Sequence, residues 1–345
     1  MNFPKLSDLN VSGKKVIVRM DLDVAEDYTR IETAKSTLSY LIEVKSKTII
    51  IGHKGRPAFV ETSAGKPEGW KELSLEPLAD VIGRVINRKV EFVSDIVGED
   101  AKTHSENLKE GEIILLENLR FDKREEENDE EFAKQLASFG EVYVNEAFAV
   151  SHRAHASLVG IPKYLPHAAG MRFVQEVEHL SRVIENPERP LVFLISGIKK
   201  DKLEMIKNIK NLADKVLVAG RLPKFMDEDY HDEKVLIAQL NPDKEDITMR
   251  SIENFEEEIK KAKTIVLAGV IGKYEDEGHR QGTKRVFEAV ANSSAYKVAG
   301  GGDTEAALTM YNLLNKFDWI SVGGGAMLEF LAKGTLPGIE ALRGN

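Results

Sequence analysis

Short apolar runs recur along the chain, and segments with a different pattern separate them. In the first half they lie at 16–18, 48–51, 90–93, 113–116 and 142–145, and in the second half at 191–195, 216–219, 264–267 and 319–322. Continuous runs of Val, Ile and Leu are typical of strands in a parallel sheet that is covered on both faces. Between them, apolar residues recur at helical spacing, as at Leu38, Leu41 and Ile42. The alternation predicts an α/β fold with parallel sheets.

A longer helical pattern at 174–184 separates the two halves, and the segment Asn-Pro-Glu-Arg-Pro at 186–190 ends it. With 345 residues, the chain is too long for one small core and suits two domains. We therefore predict two Rossmann-like lobes, each a parallel sheet flanked by helices. They span 1–170 and 189–332, and a long hinge helix at 171–188 joins them.

Composition narrows the class of protein. The chain is 42% hydrophobic and 30% charged, which is typical of a globular protein. Its net charge of −9 argues against general binding to nucleic acid or anionic membranes. The absence of cysteine excludes disulfides, thiol catalysis and cysteine-bound metals. The first residues form no apolar signal region, and no stretch has membrane-spanning length, so we expect a cytoplasmic protein.

Basic side chains follow the strands of the first half. Open α/β sheets bind ligands at the carboxyl ends of their strands. Each residue alone could be a solvated loop charge, but the repetition favours one common site. So many cations would repel one another without a polyanionic ligand, and a small phosphorylated carboxylate fits because arginine suits both groups. The residues are Arg19, Arg30, Arg56, Arg120, Arg153, His53, His152 and His155, with Asp21 and Asp23 beside them.

His152 and His155 allow a second interpretation. Two histidines at this spacing could bind a metal if a third ligand lay nearby in the fold. Because Arg153 stands between them, an anion site is favoured.

The acidic run at 124–131 predicts a solvated helix start that is capped near Asn128. Phe132, Leu136 and Phe139 would form the core face of this helix.

Two triglycine segments mark the second half. Gly300, Gly301 and Gly302 precede Asp303 and a helical pattern, and glycines at 323–325 lie between a strand and a helix. Such loops allow close approach of a ligand to the main chain, and the helix that follows favours phosphate at its N-terminus. Asp303 or Thr304 could cap the helix, and the Asp303 carboxylate could hold Mg²⁺ beside a phosphate. A tight turn with an ordinary cap is the alternative for either loop alone.

Lysines after the strand at 191–195 extend this picture. Lys199 and Lys202 could bind nucleotide phosphates, although a lysine-rich surface turn would look the same. Glycine-rich loops after the later strands suit a nucleotide along the edge of the second sheet. The dinucleotide spacing G-x-G-x-x-G is absent from both triglycine segments, which weakens a nicotinamide-dependent oxidoreductase.

Taken together, these residues resemble the phosphoglycerate kinase family over most of the chain. The first-half motifs are Val-Arg-x-Asp at 18–21, His-x-Gly-Arg-Pro at 53–57, Leu-Glu-Asn-Leu-Arg-Phe at 116–121, Tyr-Val-Asn-x-Ala-Phe at 143–148 and His-Arg-Ala-His at 152–155. Gly-Gly-Gly-Asp-Thr at 300–304 and Gly-Gly-Gly-Ala at 323–326 complete the match.

The resemblance implies a fold, a reaction and a different ligand for each domain. A first domain would bind 3-phosphoglycerate or 1,3-bisphosphoglycerate, a second would bind MgADP or MgATP, and closure around the hinge helix would gate this glycolytic phosphoryl transfer. The tail at 333–345 would return to the first domain, and the protein would be a monomer. Arg19, Asp21, Asp23, Arg30, His53, Arg56, Arg120, His152, Arg153 and His155 would surround the substrate.

On the nucleotide side, the resemblance implies that Lys199 and Lys202 hold phosphates, Glu275 contacts the ribose and Asp303 serves Mg²⁺. Arg30 and Lys199 would reach the moving phosphoryl group, with the amides at Gly301 and Gly324. The remaining nucleotide residues would be Gly197, Gly220, Gly272, Gly300, Gly302 and Thr304.

Departures from the family pattern concentrate in the second half. Ser196-Gly-Ile replaces Gly-Gly-Ala, Ala219-Gly-Arg-Leu replaces three glycines and Met, and the segment between about 221 and 251 is short. In the first half, Asp23 stands where the family has Asn. These changes keep a second hypothesis open, a regulatory paralogue that binds phosphoglycerate or nucleotide without phosphoryl transfer.

Overall fold

The computed structural model describes residues 2–24, 27–57, 70–198, 200, 202–227 and 229–344. Its contacts divide the chain into two compact units: unit 1 comprises Met1–Val177 with Leu336–Asn345, and unit 2 comprises Glu178–Thr335. Within the described residues, no helix is long and apolar enough to cross a membrane.

Unit 1 is built on a parallel sheet. In the described part of the chain the sheet has six strands in the order β3-β4-β2-β1-β5-β6. The strands are β1 (Lys15–Arg19), β2 (Lys47–Ile51), β3 (Glu91–Val93), β4 (Ile113–Leu116), β5 (Val142–Asn145) and β6 (His167–Ala169). The first residue pair of β1 and β2 is Lys15 with Lys47, and β1 also pairs in parallel with β5.

Helices cover this sheet because their apolar faces need a buried partner. In α4, for example, Leu78, Val81 and Ile82 point into the core. The helices are α1 (Thr29–Thr33), α2 (Lys35–Glu43), α3 (Trp70–Leu73), α4 (Glu76–Ile86), α5 (Glu99–Asn107), α6 (Glu130–Ala137) and α7 (Met171–Glu185). The boundary between the two units falls inside α7.

Unit 2 repeats the plan. Its sheet, counted over the described residues, has six parallel strands in the order β12-β11-β10-β7-β8-β9. The strands are β7 (Leu191–Gly197), β8 (Lys215–Gly220), β9 (Val235–Ile237), β10 (Thr264–Ala268), β11 (Tyr296–Gly300) and β12 (Trp319–Ser321). The helices are α8 (Lys202–Leu212), α9 (Met249–Lys261), α10 (Gln281–Asn292), α11 (Gly302–Met310) and α12 (Gly324–Lys333).

The last helix, α13 (Pro337–Arg343), belongs to unit 1. The Gly338 amide donates a hydrogen bond of 2.9 Å to the carbonyl of Ser151. A Cβ at Gly338 would lie only 2.7 Å from the Cβ of Ser151, so glycine permits this close approach.

The predicted α/β class with two parallel sheets flanked by helices is confirmed. The predicted helix cap near Asn128 is confirmed to within one residue: α6 begins at Glu130, and the Asp129 side chain caps it by accepting a hydrogen bond of 2.7 Å from the Phe132 amide. Phe132, Leu136 and Phe139 are buried as predicted.

Candidate active site

The basic residues of unit 1 converge because neighbouring parallel strands end at the same edge of the sheet. Arg19, the last residue of β1, pairs with Ile51 at the end of β2 and with Asn145 at the end of β5. The loops after these strands carry His53 and the segment 151–157. We name the set Arg19, Arg30, His53, Arg120, Arg153 and His155 the anion cluster.

Arg19 is fully buried, and other protein groups accept hydrogen bonds from its guanidinium. Its Nε donates to Ser157 Oγ at 2.9 Å, its Nη1 donates to the carbonyl of Met20, and its Nη2 lies 2.6 Å from Nδ1 of His53. Arg19 therefore stands behind His53, which leaves it little capacity to contact a ligand directly.

Glu125 is a buried member of the site that the sequence patterns missed. The expectation of a solvated acidic run is wrong for this residue, which is completely buried. Its carboxylate accepts hydrogen bonds from the hydroxyl and the amide of Ser157, at 2.6 and 2.9 Å. Its position depends on a tertiary contact with the helical segment Ala156–Gly160, and the run of glutamates carries no signal that singles it out.

The two buried histidines are neutral rather than cationic. Burial lowers the pKa of His53 well below its usual range, and Arg19 and Arg120 add to the effect. Burial and the same arginines lower the pKa of His155 to about 3. The expectation that these two histidines add positive charge to the site is therefore wrong at neutral pH.

Arg120 offers a buried donor to a ligand. Its Nη1 donates to the carbonyl of Gly55 at 2.6 Å, and its Nε lies 3.0 Å from Oε1 of Glu126. Its Nη2 is buried and has no hydrogen-bond partner among the residues that the structure describes. Burial also lowers the pKa of Arg120. An anion would supply the missing partner.

Arg30 reaches the same edge from α1. Its Nη1 lies 3.2 Å from Oδ2 of Asp21 and donates to the carbonyl of Asp23 at 3.0 Å. Burial raises the pKa of Asp21, against the opposing effect of Arg30 and Arg19. Asp23 binds the loop that follows β2, because its Oδ1 accepts a hydrogen bond of 2.8 Å from the Gly55 amide.

The remaining predicted substrate residues are more open. Arg56 is exposed, and His152 and Arg153 are half-buried. Arg153 lies near enough to His53 and Arg120 to lower the pKa of both.

In unit 2, the strand ends line a cleft of about 750 Å³, which we name the glycine cleft. Among the predicted nucleotide residues, six line it: Gly197, Lys202, Gly220, Gly272, Glu275 and Asp303. Lys199 lies outside the described residues.

Lys202 and two glycines shape one wall of the glycine cleft. Lys202, the first residue of α8, donates to the carbonyl of Ser196. Gly269 has a φ of +113°, and a Cβ there would lie 2.2 Å from the oxygen of Ser196. Only glycine therefore allows these two strand ends to approach so closely.

The two triglycine loops touch each other. A Cβ at Gly324 would lie 2.6 Å from Cα of Gly301 and 2.9 Å from its nitrogen. Gly301, with a φ of +110°, is the N-cap of α11, and Gly323 is the N-cap of α12. Two helix N-termini thus begin at neighbouring glycines, and their first amides favour an anion.

The expectation that Asp303 or Thr304 caps α11 is wrong. The helix begins at Gly302, one residue earlier, and its N-cap makes no side-chain hydrogen bond. Thr304 is buried, and its hydroxyl accepts a hydrogen bond of 2.9 Å from the Gly269 amide. It therefore ties the start of α11 to the loop after β10, while Asp303 stays exposed at the rim.

The short segment after β8 supplies a second wall that the sequence did not predict. Oε1 of Glu245 lies 2.6 Å from Nη2 of Arg221, and both residues line the glycine cleft. The backbone of Glu245 accepts a hydrogen bond of 2.9 Å from the Lys273 amide. Buried Asp246 accepts another of 2.9 Å from the Gly282 amide, which anchors the turn.

A preformed cage for a metal is absent from the described residues, since they contain no group of three His, Asp or Glu side chains placed to hold an ion. Mg²⁺ does not need one, because it keeps several waters and commonly binds through one or two carboxylates and substrate phosphates. Asp303 on the cleft wall, beside helix N-termini suited to phosphate, fits that mode of binding.

Comparison with known proteins gives one consistent result. A family model described as "Phosphoglycerate kinase" matches residues 6–230 and 225–334. The phosphoglycerate kinases of Dictyoglomus turgidum and Clostridium botulinum are 35% and 36% identical to this chain, with at least 98% of each chain covered. Solved phosphoglycerate kinase structures from Pyrococcus horikoshii and Coxiella burnetii superpose with TM-scores of 0.83 and 0.80, at 28% and 30% identity and at least 98% coverage of each chain.

Proposed function

The chain belongs to the phosphoglycerate kinase family, and on that premise we propose which of its residues serve each reactant. The reaction is the reversible transfer of a phosphoryl group between 1,3-bisphosphoglycerate and ADP, which gives 3-phosphoglycerate and ATP. The protein is thus a phosphotransferase whose acceptor, in the reverse direction, is a carboxyl group.

We assign the phosphoglycerate to the edge of the sheet in unit 1. Four observations support this: several basic residues share one sheet edge, two of them are buried, the histidines there are neutral, and Nη2 of Arg120 lacks a partner among the described residues. The last observation carries the proposal, because a buried guanidinium donor needs an acceptor. The residues proposed to face the substrate are Asp21, Asp23, Arg30, His53, Arg56, Arg120, His152, Arg153 and His155.

We assign the nucleotide to the glycine cleft of unit 2. Lys202 and the amides of Gly300, Gly301 and Gly302 would bind its phosphates, and Glu275 would accept hydrogen bonds from the ribose. Gly197, Gly220, Gly272 and Thr304 would shape the cleft around it, and Lys199 is proposed here from its motif alone. Asp303 would hold Mg²⁺, which supplies charge neutralisation on the phosphates when bound.

The proposed chemistry needs no general base. The acceptor carboxylate is already ionised at neutral pH, so the enzyme's task is alignment and stabilisation of charge on the moving phosphoryl group. His53 and His155 are buried and neutral, which suits donors better than bases. Arg30, Lys199 and the amides of Gly301 and Gly324 are proposed to stabilise that charge.

A coupled assay tests the function and its assignment together. The protein is incubated with 3-phosphoglycerate and MgATP, and the 1,3-bisphosphoglycerate formed is followed through an NADH-linked reductase. We expect turnover that depends on both reactants and on Mg²⁺. No turnover at high enzyme concentration would contradict the assignment. A thermal shift with 3-phosphoglycerate alone, and with MgADP alone, reports binding to each unit separately.

We further propose that the protein acts as a cytoplasmic monomer. Each proposed set of binding residues comes from a single chain, so no second copy is needed to complete either. Light scattering behind a sizing column checks this, and a stable dimer at assay concentrations would contradict it.

A further inference from the structure

Three buried side chains behind His53, which is proposed to face the substrate, form a continuous hydrogen-bonded row with it. The Ser157 hydroxyl donates to Oε1 of Glu125 at 2.6 Å. The same hydroxyl accepts from Nε of Arg19 at 2.9 Å, and Nη2 of Arg19 lies 2.6 Å from Nδ1 of His53. None of the four side chains is more than 1% exposed. We name this row the Glu125–His53 relay.

The direction of the last hydrogen bond follows from chemistry. A guanidinium has only donors and is never deprotonated in proteins. At 2.6 Å from Arg19, Nδ1 of His53 must therefore be the acceptor and carry no proton. A neutral imidazole has one N–H, so the proton is on Nε2. Arg19 thereby excludes both the other tautomer and the imidazolium ion.

The rest of the relay holds Arg19 in that orientation. Its Nε is tied to Ser157, and its Nη1 is tied to the Met20 carbonyl. Ser157 is itself fixed by Glu125, which accepts from both its amide and its hydroxyl. With these donors engaged, the guanidinium is held at His53.

We propose that Arg19 is a positioning residue, which holds His53 in the neutral Nε2–H form so that it presents a fixed N–H donor to an anionic oxygen of the phosphoglycerate. Glu125 and Ser157 keep Arg19 in place. This inference rests on the proposed substrate role of His53, and it moves Arg19 from the substrate-contacting residues to those that act through another side chain.

A neutral donor avoids additional repulsion between positive charges at this site. His53 already faces the positive charges of Arg19, Arg120 and Arg153, and His155 also lies near it. A further cation here would add repulsion in a buried region whenever the substrate is absent. A histidine that donates without carrying charge contributes to anion binding and avoids that cost.

The first test reads the tautomer directly in the unaltered protein. Long-range ¹H–¹⁵N NMR distinguishes a protonated ring nitrogen from an unprotonated one, and the His53 signals are assigned by their loss in His53→Gln. We expect an unprotonated Nδ1 and a protonated Nε2 at neutral pH. A protonated Nδ1, in either the other tautomer or the imidazolium, overturns the proposal. The tautomer is thus read in the unaltered protein, and His53→Gln serves only to assign the signals.

The second test asks whether the tautomer matters to the substrate. Saturating 3-phosphoglycerate should shift the Nε2 resonance of His53 while its tautomer stays the same. An Nε2 resonance that does not move overturns the donor role. If 3-phosphoglycerate does not bind at all by thermal shift, the proposed function fails instead, and the two failures are thus distinguishable.

The third test breaks the relay without removing a charge. Ser157→Ala keeps Arg19 and Glu125 but deletes the hydroxyl between them. We expect His53 to populate both tautomers and the KM for 3-phosphoglycerate to rise about tenfold, as for loss of a hydrogen bond to a charged group. The kcat and the KM for MgATP should stay within about twofold.

Ser105→Ala is the matched control, because Ser105 is a buried serine whose hydroxyl bonds within its own helix to the Lys102 carbonyl. It should change neither the tautomer nor the KM. A Ser157→Ala protein that keeps one His53 tautomer and an unchanged KM for 3-phosphoglycerate contradicts the relay.

Discussion

In unit 1 the groups that we propose for binding an anion are side chains, whereas in unit 2 most of them are backbone amides. The anion cluster holds its arginines through other protein groups, as Ser157 holds Arg19 and the Gly55 carbonyl holds Arg120. The glycine cleft instead depends on close contact between two main chains, as at Gly269 and Ser196. The same task, binding a phosphorylated ligand, is thus assigned to two different kinds of chemical group.

This proposed difference would account for where the chain departs from the family pattern. A site made of side chains fixes residue types, and the first-half motifs match closely. A site made of backbone amides fixes conformation and leaves room for other side chains around it. The substitutions near the cleft, such as Arg221, fall in loops whose side chains reach its wall while glycines set its shape.

The largest effect should come from the anion cluster. Arg30→Ala removes a guanidinium proposed to stabilise the moving phosphoryl group, and we expect kcat to fall roughly 10²–10³-fold, as for other charge-stabilising groups. The KM for MgATP should stay the same, because the nucleotide is assigned to unit 2. Steady-state kinetics with each substrate varied measures both values.

Arg84→Ala, on α4, is the control for charge alone, since Arg84 has no proposed role. If Arg30→Ala keeps near-normal turnover, the assignment of side chains as the dominant groups of unit 1 is wrong.

The next largest effect tests the backbone character of unit 2. Gly324→Ala would place a Cβ 2.6 Å from Cα of Gly301, where only main-chain movement can relieve the clash. We expect about 1–3 kcal/mol lower stability, typical of overpacking, and a kcat reduced about tenfold as the two loops separate. Thermal unfolding and kinetics are measured on the same samples.

Gly325→Ala is a matched control in the next position. A Cβ there meets nothing within 4 Å, and helix propensity gives it a gain of up to about 1 kcal/mol. Equal damage from both substitutions would show that contact between the loops is not what matters.

Burial also sets the pH dependence of unit 1. The pKa of His155 falls to about 3 in the folded protein from an ordinary value of 6.5. Below pH 6.5, His155 is protonated in the unfolded chain but stays neutral in the folded protein. The folded protein therefore loses stability as the pH falls. Between pH 7 and 5 this amounts to about 2 kcal/mol. His155→Gln should remove that part of the slope in denaturant unfolding measured across this range.

His104→Gln, at a partly exposed histidine of α5, is the matched control for the substitution itself. An unchanged slope in His155→Gln would mean that this histidine is not held neutral by burial. His53, whose pKa is shifted in the same direction, contributes to the total but not to the difference between variants.

The sequence predicts the placement of the anion cluster well because that placement follows mainly from the order and direction of the strands. Once the strands are parallel, the residues after β1, β2, β4 and β5 must meet at one edge, and Arg120 and His53 do. The triglycine loops can be predicted from the sequence equally well, because three consecutive glycines rarely precede a helix without a structural cause.

What the sequence did not reveal depends on tertiary contacts and burial. Glu125 looks like any other glutamate in an acidic run until Ser157 folds against it. The neutrality of His53 and His155 arises from desolvation, which no residue pattern encodes. Thr304 satisfies a cap pattern, yet its hydroxyl is taken by the Gly269 amide from another loop.

The smallest effect should come from a polar pair on the wall of the glycine cleft. Arg221 and Glu245 are 2.6 Å apart, but their side chains are 46% and 31% exposed. Exposed pairs contribute about 0–1 kcal/mol, so Arg221→Ala and Glu245→Ala should each change the KM for MgATP less than about fivefold. The double variant should match either single one, since both remove the same contact. A much larger rise in KM, with 3-phosphoglycerate kinetics unchanged, would show that side chains rather than main-chain amides bind the nucleotide in unit 2. The proposed contrast, side chains in unit 1 and backbone amides in unit 2, would then be wrong for the part of the glycine cleft where this chain differs from its family.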